Sequence, residues 1–180
     1  YIGSLAPSRG VIDTLKSFHE ISKEVYEAKF LVLAPRIWYH DTLKHLRTIM
    51  SLANKLGIKS KLRVRFTSRP EMHKLSKLID IVILPFRREF IHTCPPIVIM
   101  ELIALGKTIV TYADPWVLDT LYHCDAIVKV SYGKPHELTN AALQLLQSPR
   151  ELKALSYRAK GYVTEYHQPC KVAQYLVKTY

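Results

Sequence analysis

Cysteine is scarce, with three in 180 residues, at Cys94, Cys124 and Cys170 and never at C-x-x-C spacing. That excludes a disulfide framework and a zinc ribbon, and a reducing compartment is the simpler setting. Long hydrophobic runs are missing as well. The best candidates, Ile79 to Phe86 and Ile97 to Leu105, are broken by Asp80 and Glu101 and fall short of the ~20 apolar residues that a membrane span needs. The sequence shows no internal repeat, low-complexity tract or signal-peptide pattern, and no Asp-x-Asp for a metal. Acid is also short: 15 Asp plus Glu stand against 26 Lys plus Arg, a formal charge of +11. Such a surplus favours phosphate-bearing partners by sign alone, whether nucleic acid, anionic lipid or a phosphorylated small molecule.

What is present is a globular chain. Hydrophobic residues make up 48% and charged residues 23%, which is not the composition of a disordered polymer. The pattern alternates short apolar runs with helical stripes. Tyr1 to Leu5 reads as a strand broken by Gly3, and Ile12, Leu15 and Phe18 fall at helical spacing. Phe30 to Leu33 reads as a buried strand. Asp41 opens a helix that stops at Gly57, Leu62, Val64 and Phe66 mark the next strand, and Ser68 and Pro70 begin a helix through Leu78. Ile81 to Phe86 has the unbroken apolar character of a central parallel strand. A helix opened by Pro96 and closed at Gly106, a strand over Ile109 to Tyr112, a helix from Asp114-Pro115 and a strand over Ala126 to Val130 follow. Three helices end the chain, beginning near Pro135, Pro149 and Pro169. The prediction is one α/β domain over residues 1–180, a Rossmann-like, doubly wound parallel sheet of about six strands with helices on both faces.

In such sheets ligands lie beyond the carboxyl ends of the strands. Two stretches there carry chemistry. After Pro95-Pro96, the first-turn amides at Ile97 and Val98 have no intrahelical acceptor and suit a phosphate. Glu101 is the one charge in that otherwise apolar helix, and a carboxylate there can accept two hydroxyl hydrogen bonds, as a ribose offers. The plainer reading is that Glu101 faces solvent or pairs with a lysine. In the loop Gly3-Ser4-Leu5-Ala6-Pro7-Ser8-Arg9-Gly10, Gly3 permits a tight turn and Arg9 stands where an arginine can reach a phosphate; the plainer reading is a surface arginine. Gly106-Lys107-Thr108 ends a helix where a phosphate loop would begin one, so it is not a phosphate loop. His92, His123, Cys94 and Cys124 assemble no ligand set with zinc spacing. A basic cluster comprises Lys44, Arg47, Lys55, Lys59, Lys61, Arg63, Arg65 and Arg69, with no aromatics interleaved as an RNA-binding surface would have. It reads as a solvated rim or as a surface for anionic lipid or an acidic partner.

Together the opening loop and the segment Glu101-Leu102-Ile103-Ala104-Leu105-Gly106-Lys107-Thr108-Ile109-Val110 resemble the C-terminal, donor-binding domain of the family 4 (group 1) glycosyltransferases of GT-B fold. The resemblance runs through nearly all of the chain in element order, including Leu84-Pro85-Phe86 and Pro135-His136-Glu137-Leu138. It departs from the family in three places. Ser4 stands where the family has an arginine. Thr93 takes the place of the first glutamate of the family's pair. Pro95 and Pro96 remove amide donors.

The resemblance implies transfer of a hexose from a nucleoside diphosphate sugar to a hydroxyl acceptor, with retention and without a metal or other cofactor. Arg9 and the helix start at Ile97 and Val98 would neutralise the leaving diphosphate, with Gly3 and Ser4 in the same loop. Glu101 would hold the ribose, Thr93 and Cys94 would line the sugar pocket, and Ser68 and Arg69 would flank the base. The acceptor domain that precedes this one in the family is absent from the chain, which is expected to bind nucleotide weakly and to transfer nothing alone. A cytoplasmic location is expected, with peripheral contact to an anionic membrane face in view of the charge. The competing reading is a non-catalytic scaffold with a decayed donor site, and a nucleic-acid-binding domain is not favoured.

Overall fold

A computed structural model of the protein describes residues 1–36, 41–87, 97–114, 121 and 124–179. The chain opens with Tyr1–Gly3 laid in parallel beside a strand, a 3-10 turn over Pro7–Arg9, and helix α1 over Val11–Glu24. Gly10 joins turn and helix at φ +80°, a left-handed conformation that glycine adopts without penalty. Then follow β1 (Phe30–Pro35), α2 (Thr42–Lys55), β2 (Leu62–Thr67), α3 (Arg69–Ser76), β3 (Ile81–Ile83), α4 (Ile97–Ala104), β4 (Thr108–Tyr112), β5 (Ile127–Val130), α5 (Pro135–Gln147), α6 (Pro149–Tyr166) and α7 (Pro169–Thr179). Helices α1 to α6 each turn buried residues inward. In α1 these include Val11, Leu15, Phe18 and Ile21, spaced for a 3.6-residue turn.

All strand pairings are parallel. β1 pairs with β2 from Phe30 opposite Leu62 to Pro35 opposite Thr67, and β3, β4 and β5 form a second ladder in that order. Ile2 adds an isolated bridge to Leu33, with Leu33 N–H donating to Tyr1 O and Gly3 N–H donating to Leu33 O, both at 2.9 Å. The expectation of about six strands in one sheet is therefore corrected to a two-stranded and a three-stranded sheet plus that bridge. The physical cause is a parting between the ladders: Tyr1, Phe30 and Leu31 on one side and Ile81 and Ile83 on the other line a cavity of about 580 Å³ at the amino ends of the strands. β3 is also shorter than its apolar run. Leu84 N–H still reaches Val110 O at 2.9 Å, but Pro85 has no N–H with which to continue the ladder.

One core nevertheless spans both ladders, since Leu15, Val32, Ile49, Val82, Leu102 and Ile109 belong to a single buried cluster. Leu33 and Ala34 are adjacent on β1 and both buried, as are Ile109 and Val110 on β4. Neighbouring strand residues point to opposite faces, so β1 and β4 are covered on both faces, while β2 exposes Arg63 and Arg65 on one. Phe18 of α1 stacks on Phe30 of β1 with ring centroids 5.0 Å apart. The expected helix from Asp114-Pro115 falls on residues outside those described.

Candidate functional site

The carboxyl ends of β1 and β2 stop side by side, because Pro35 and Thr67 are register partners. Arg36 continues the pairing, its N–H donating to Thr67 O at 3.1 Å. Beyond these ends lies a cavity of about 340 Å³ floored by Ile2, Leu33 and Ala34 and rimmed by Gly3, Arg36, Thr67, Ser68, Arg69, Met72 and Val98. The larger cavity at the amino ends lies away from the polar stretches that the sequence singles out. The carboxyl-end cavity is where a parallel α/β sheet exposes helix starts and loops to a ligand.

Its rim is held by a cap. Ser68 is the N-cap of α3, and its N–H and hydroxyl donate to Glu71 Oε2 at 2.7 and 2.8 Å. Arg36 Nη2 donates to both Glu71 oxygens at 3.0 and 2.8 Å. The Ser68 amide, then the Ser68 hydroxyl, then Arg36 hold the Glu71 carboxyl below the ordinary carboxylate value. The sequence shows Ser-x-x-Glu, the capping-box spacing, but gives no sign that Arg36 would reach it from thirty-five residues away. Arg36, Thr67 and Met72 are lining residues that the sequence does not single out.

Arg69, the first residue of α3, pairs through Nη2 with Glu101 Oε1 of α4. Glu101 is 18% exposed and Arg69 66%. Of the two readings of Glu101, the structure gives neither free solvation nor a lysine partner but an arginine at the cavity rim. A carboxylate has about four lone-pair sites, so one guanidinium nitrogen leaves Glu101 able to accept further hydrogen bonds.

The sequence-predicted residues thus divide. Gly3, Ser68, Arg69 and Val98 line one cavity, and Glu101 is tied to it through Arg69. Ile97 is exposed at the start of α4. Ser4 is turned to local work, its Oγ accepting from Ala6 N–H at 3.3 Å and its carbonyl accepting from Tyr1 Oη at 2.6 Å. Arg9 ends the 3-10 turn and is not among the lining residues of the cavity. Thr93 and Cys94 lie outside the described residues.

A second polar group stands behind the 3-10 turn. Asp13 is buried, accepts from Arg87 Nη2 at 3.0 and 3.2 Å and from Tyr112 Oη at 3.1 Å. Arg87 N–H donates to Ser8 O at 3.1 Å, and Arg87 lines a cavity of about 380 Å³ with Pro7, Ser8 and Ile12. Burial first, then the Asp13 charge, raises the Tyr112 hydroxyl well above its ordinary value. The network fixes α1, the turn carrying Arg9 and the end of β4 relative to one another.

A parallel α/β domain with a cavity of ligand size beyond its strands, bounded by two helix starts, is the architecture of the Rossmann-like domains. The chain belongs to the glycosyl transferases group 1 family, whose model matches residues 1–148. Solved structures agree in fold. Anabaena Alr3699/HepE in complex with UDP is similar at 15% identity, covering 99% of this chain and 47% of that one, with a TM-score of 0.75. The C-terminal domain of the glycosyl transferase group 1 family protein LpcC from Francisella tularensis is similar at 11% identity, covering 93% of this chain and 85% of that one, with a TM-score of 0.77. Sucrose-phosphate synthase from Thermosynechococcus elongatus is similar at 13% identity, covering 99% of this chain and 44% of that one, with a TM-score of 0.79. The chain therefore spans about half the length of HepE and of the synthase and most of the LpcC domain. None of the curated proteins matches the sequence.

Proposed function

We propose that this chain is the donor-binding part of a glycosyltransferase, taking a nucleoside diphosphate hexose for transfer to a hydroxyl acceptor with retention at the anomeric carbon and without a metal. The observation that carries the reading is Glu101, a largely buried carboxylate in the second turn of α4, tied by Arg69 to the rim of the carboxyl-end cavity. Family membership supports it, as does the UDP that HepE binds in an equivalent fold. In this reading the ribose hydroxyls donate to Glu101, the base enters between Ser68, Arg69 and Gly3, and the diphosphate lies toward Arg9 and the amides of Ile97 and Val98. As the glycosidic bond breaks, the diphosphate gains negative charge, and Arg9 with the helix start stabilises it. Thr93 and Cys94 contact the sugar. An acceptor-binding domain completes the cleft, so this chain alone holds donor and transfers nothing.

Calorimetric titration with UDP, GDP and their hexose conjugates tests this. Saturable binding is expected, weakened about tenfold or more by Glu101→Ala, since hydrogen bonds to a charged group contribute roughly 1.5–3 kcal/mol, and weakened similarly by Arg9→Ala. Arg69→Ala separates the roles of the ion pair: tighter binding identifies Arg69 as a competitor for the ribose site, and weaker binding makes it a clamp on the base. One observation favours a second reading, a scaffold with a decayed site: Glu101 is already engaged by Arg69. Absence of binding at millimolar nucleotide for the unaltered chain and for Arg69→Ala would establish that reading instead.

A further inference from the structure

Between Asp41 and Glu71 the sequence has no acidic residue, yet it carries Lys44, Arg47, Lys55, Lys59, Lys61, Arg63, Arg65 and Arg69. Seven of these fall on α2, on the turn after it and on β2, which pairs only with β1 among the described residues and so forms an edge of its sheet, and Arg69 opens α3. α2 turns Thr42, Ile49 and Ala53 inward. Lys44, Arg47 and Lys55 are therefore outward, Lys44 and Lys55 standing eleven residues apart and so in line after three turns. On β2, Leu62 and Val64 pack toward the core while Arg63 and Arg65 alternate with them and are exposed. Lys59 is exposed in the turn between.

This charge is not neutralised internally. Among the described residues, Arg69 alone of the eight forms an ion pair, with Glu101. Lys61 donates to the carbonyls of Ser22 and Tyr26 at 3.1 and 2.8 Å, and Arg63 to those of Ser60 and Leu62 at 3.2 and 2.9 Å. Those acceptors are neutral, so they orient the cations and leave their charge to act outward. Glu27 and Asp80 share the amino-end cavity with Arg63, and neither pairs with it.

We infer that this edge is a docking surface for an anionic lipid bilayer. A bilayer surface needs no shaped pocket, and each Lys or Arg close to it contributes additively, so a cluster of this size suffices for reversible attachment. Leu43, 51% exposed on α2 beside Lys44 and Arg47, adds an apolar contact for the headgroup boundary. Single-stranded nucleic acid would call for a series of aromatic platforms on which bases stack, whereas residues 42–65 contain no Phe, Tyr or Trp and the exposed ring beside them, Tyr26, is overlain by Lys61 Nζ at 4.7 Å. No helix among the described residues is long and apolar enough to cross a membrane, and the contact proposed is with the bilayer surface.

The test is flotation of the whole chain with vesicles of phosphatidylcholine alone and with vesicles one-third phosphatidylglycerol, at low and high salt. Binding is expected only to the anionic vesicles and to be lost at high salt. The triple variant K55E/K59E/R65E is expected to weaken partitioning on the order of a hundredfold or more, at about fivefold or more per substitution. The variant K153E/K171E/K178E has the same net charge, is altered on α6 and α7, and is expected to partition within about threefold of the parent. Far-ultraviolet circular dichroism and melting confirm that both variants are folded. Equal loss in the two triple variants, or no binding to anionic vesicles, would overturn the proposal. So would anisotropy showing that the edge binds poly-uridine more tightly than it binds the vesicles.

Discussion

Glu71 shows how much one side chain can organise at the surface. Its carboxylate accepts from Ser68 N–H, Ser68 Oγ and Arg36, so it caps α3 and ties the end of β1 to the start of that helix. These donors favour the charged form and depress its folded pKa below 4.5. A depressed carboxylate pKa contributes stability that is complete above the unfolded value and is lost as pH falls through and below it. Glu71→Gln accepts fewer of these bonds and does not titrate. A shallower decline of Tm with acidification below 4.5 is therefore expected for the variant, while Glu137, held low by hydrogen bonds from Ser131 and by Lys134, keeps its own share. Melting curves at a series of acidic pH values check this, and parallel acid limbs for parent and variant would mean that the cap does not persist in solution.

At the scale of elements, two glycines in the same backbone region have different costs. Gly10 sits at φ +80°, and a Cβ built on it would lie 1.9 Å from Pro85 O, inside the carbonyl of the chain leaving β3. Gly57, at φ +70°, has open space around it. Gly10→Ala is expected to cost roughly 2–5 kcal/mol, combining left-handed strain with overpacking against backbone that cannot yield, whereas Gly57→Ala costs about 1 kcal/mol from strain alone. Urea midpoints with unchanged m-values measure the two, and equal losses would show that the 3-10 turn does not close onto Pro85. The same elements show what a sequence discloses. Gly57 as a helix stop, the Ser68 cap and the α4 helix ahead of Gly106 are legible, because each depends on neighbours within one or two turns. The parting of the sheet between Leu31 and Ile81 is not, since the apolar runs read the same whether or not the ladders join. Nor is the pairing of Arg69 with Glu101 or of Asp13 with Arg87, where partners thirty-two and seventy-four residues apart meet only once the crossovers are built.

For the whole molecule, the open question is how far the folded core extends toward the carboxyl terminus, where tyrosines crowd the sequence as if to cover an apolar seam. α6 belongs to the core: Leu155 and Ala159 are buried, and Tyr162 and Val163 pack partly against the main cluster. Gly106 approaches this helix so closely that an added Cβ would lie 2.6 Å from Lys160 Cε. α7 is different. Its described side chains are all exposed, including Val172, Leu176 and Val177, and Tyr166 just before it is exposed as well. Little apolar area is therefore removed from water by α7 in this chain, and an 11-residue helix has marginal stability alone. Ending the chain after Gln168 is expected to change unfolding free energy by no more than about 0.5 kcal/mol, the range of surface alterations, and to leave nucleotide affinity as it was. Ending it after Ser148 removes Leu155 and Ala159 from beside α4, so it is expected to abolish cooperative unfolding and the nucleotide site together. Urea denaturation of the two truncated chains distinguishes these outcomes. A large loss from the shorter deletion would place α7 against the core, and its apolar residues would then be the seam that the terminal tyrosines cover.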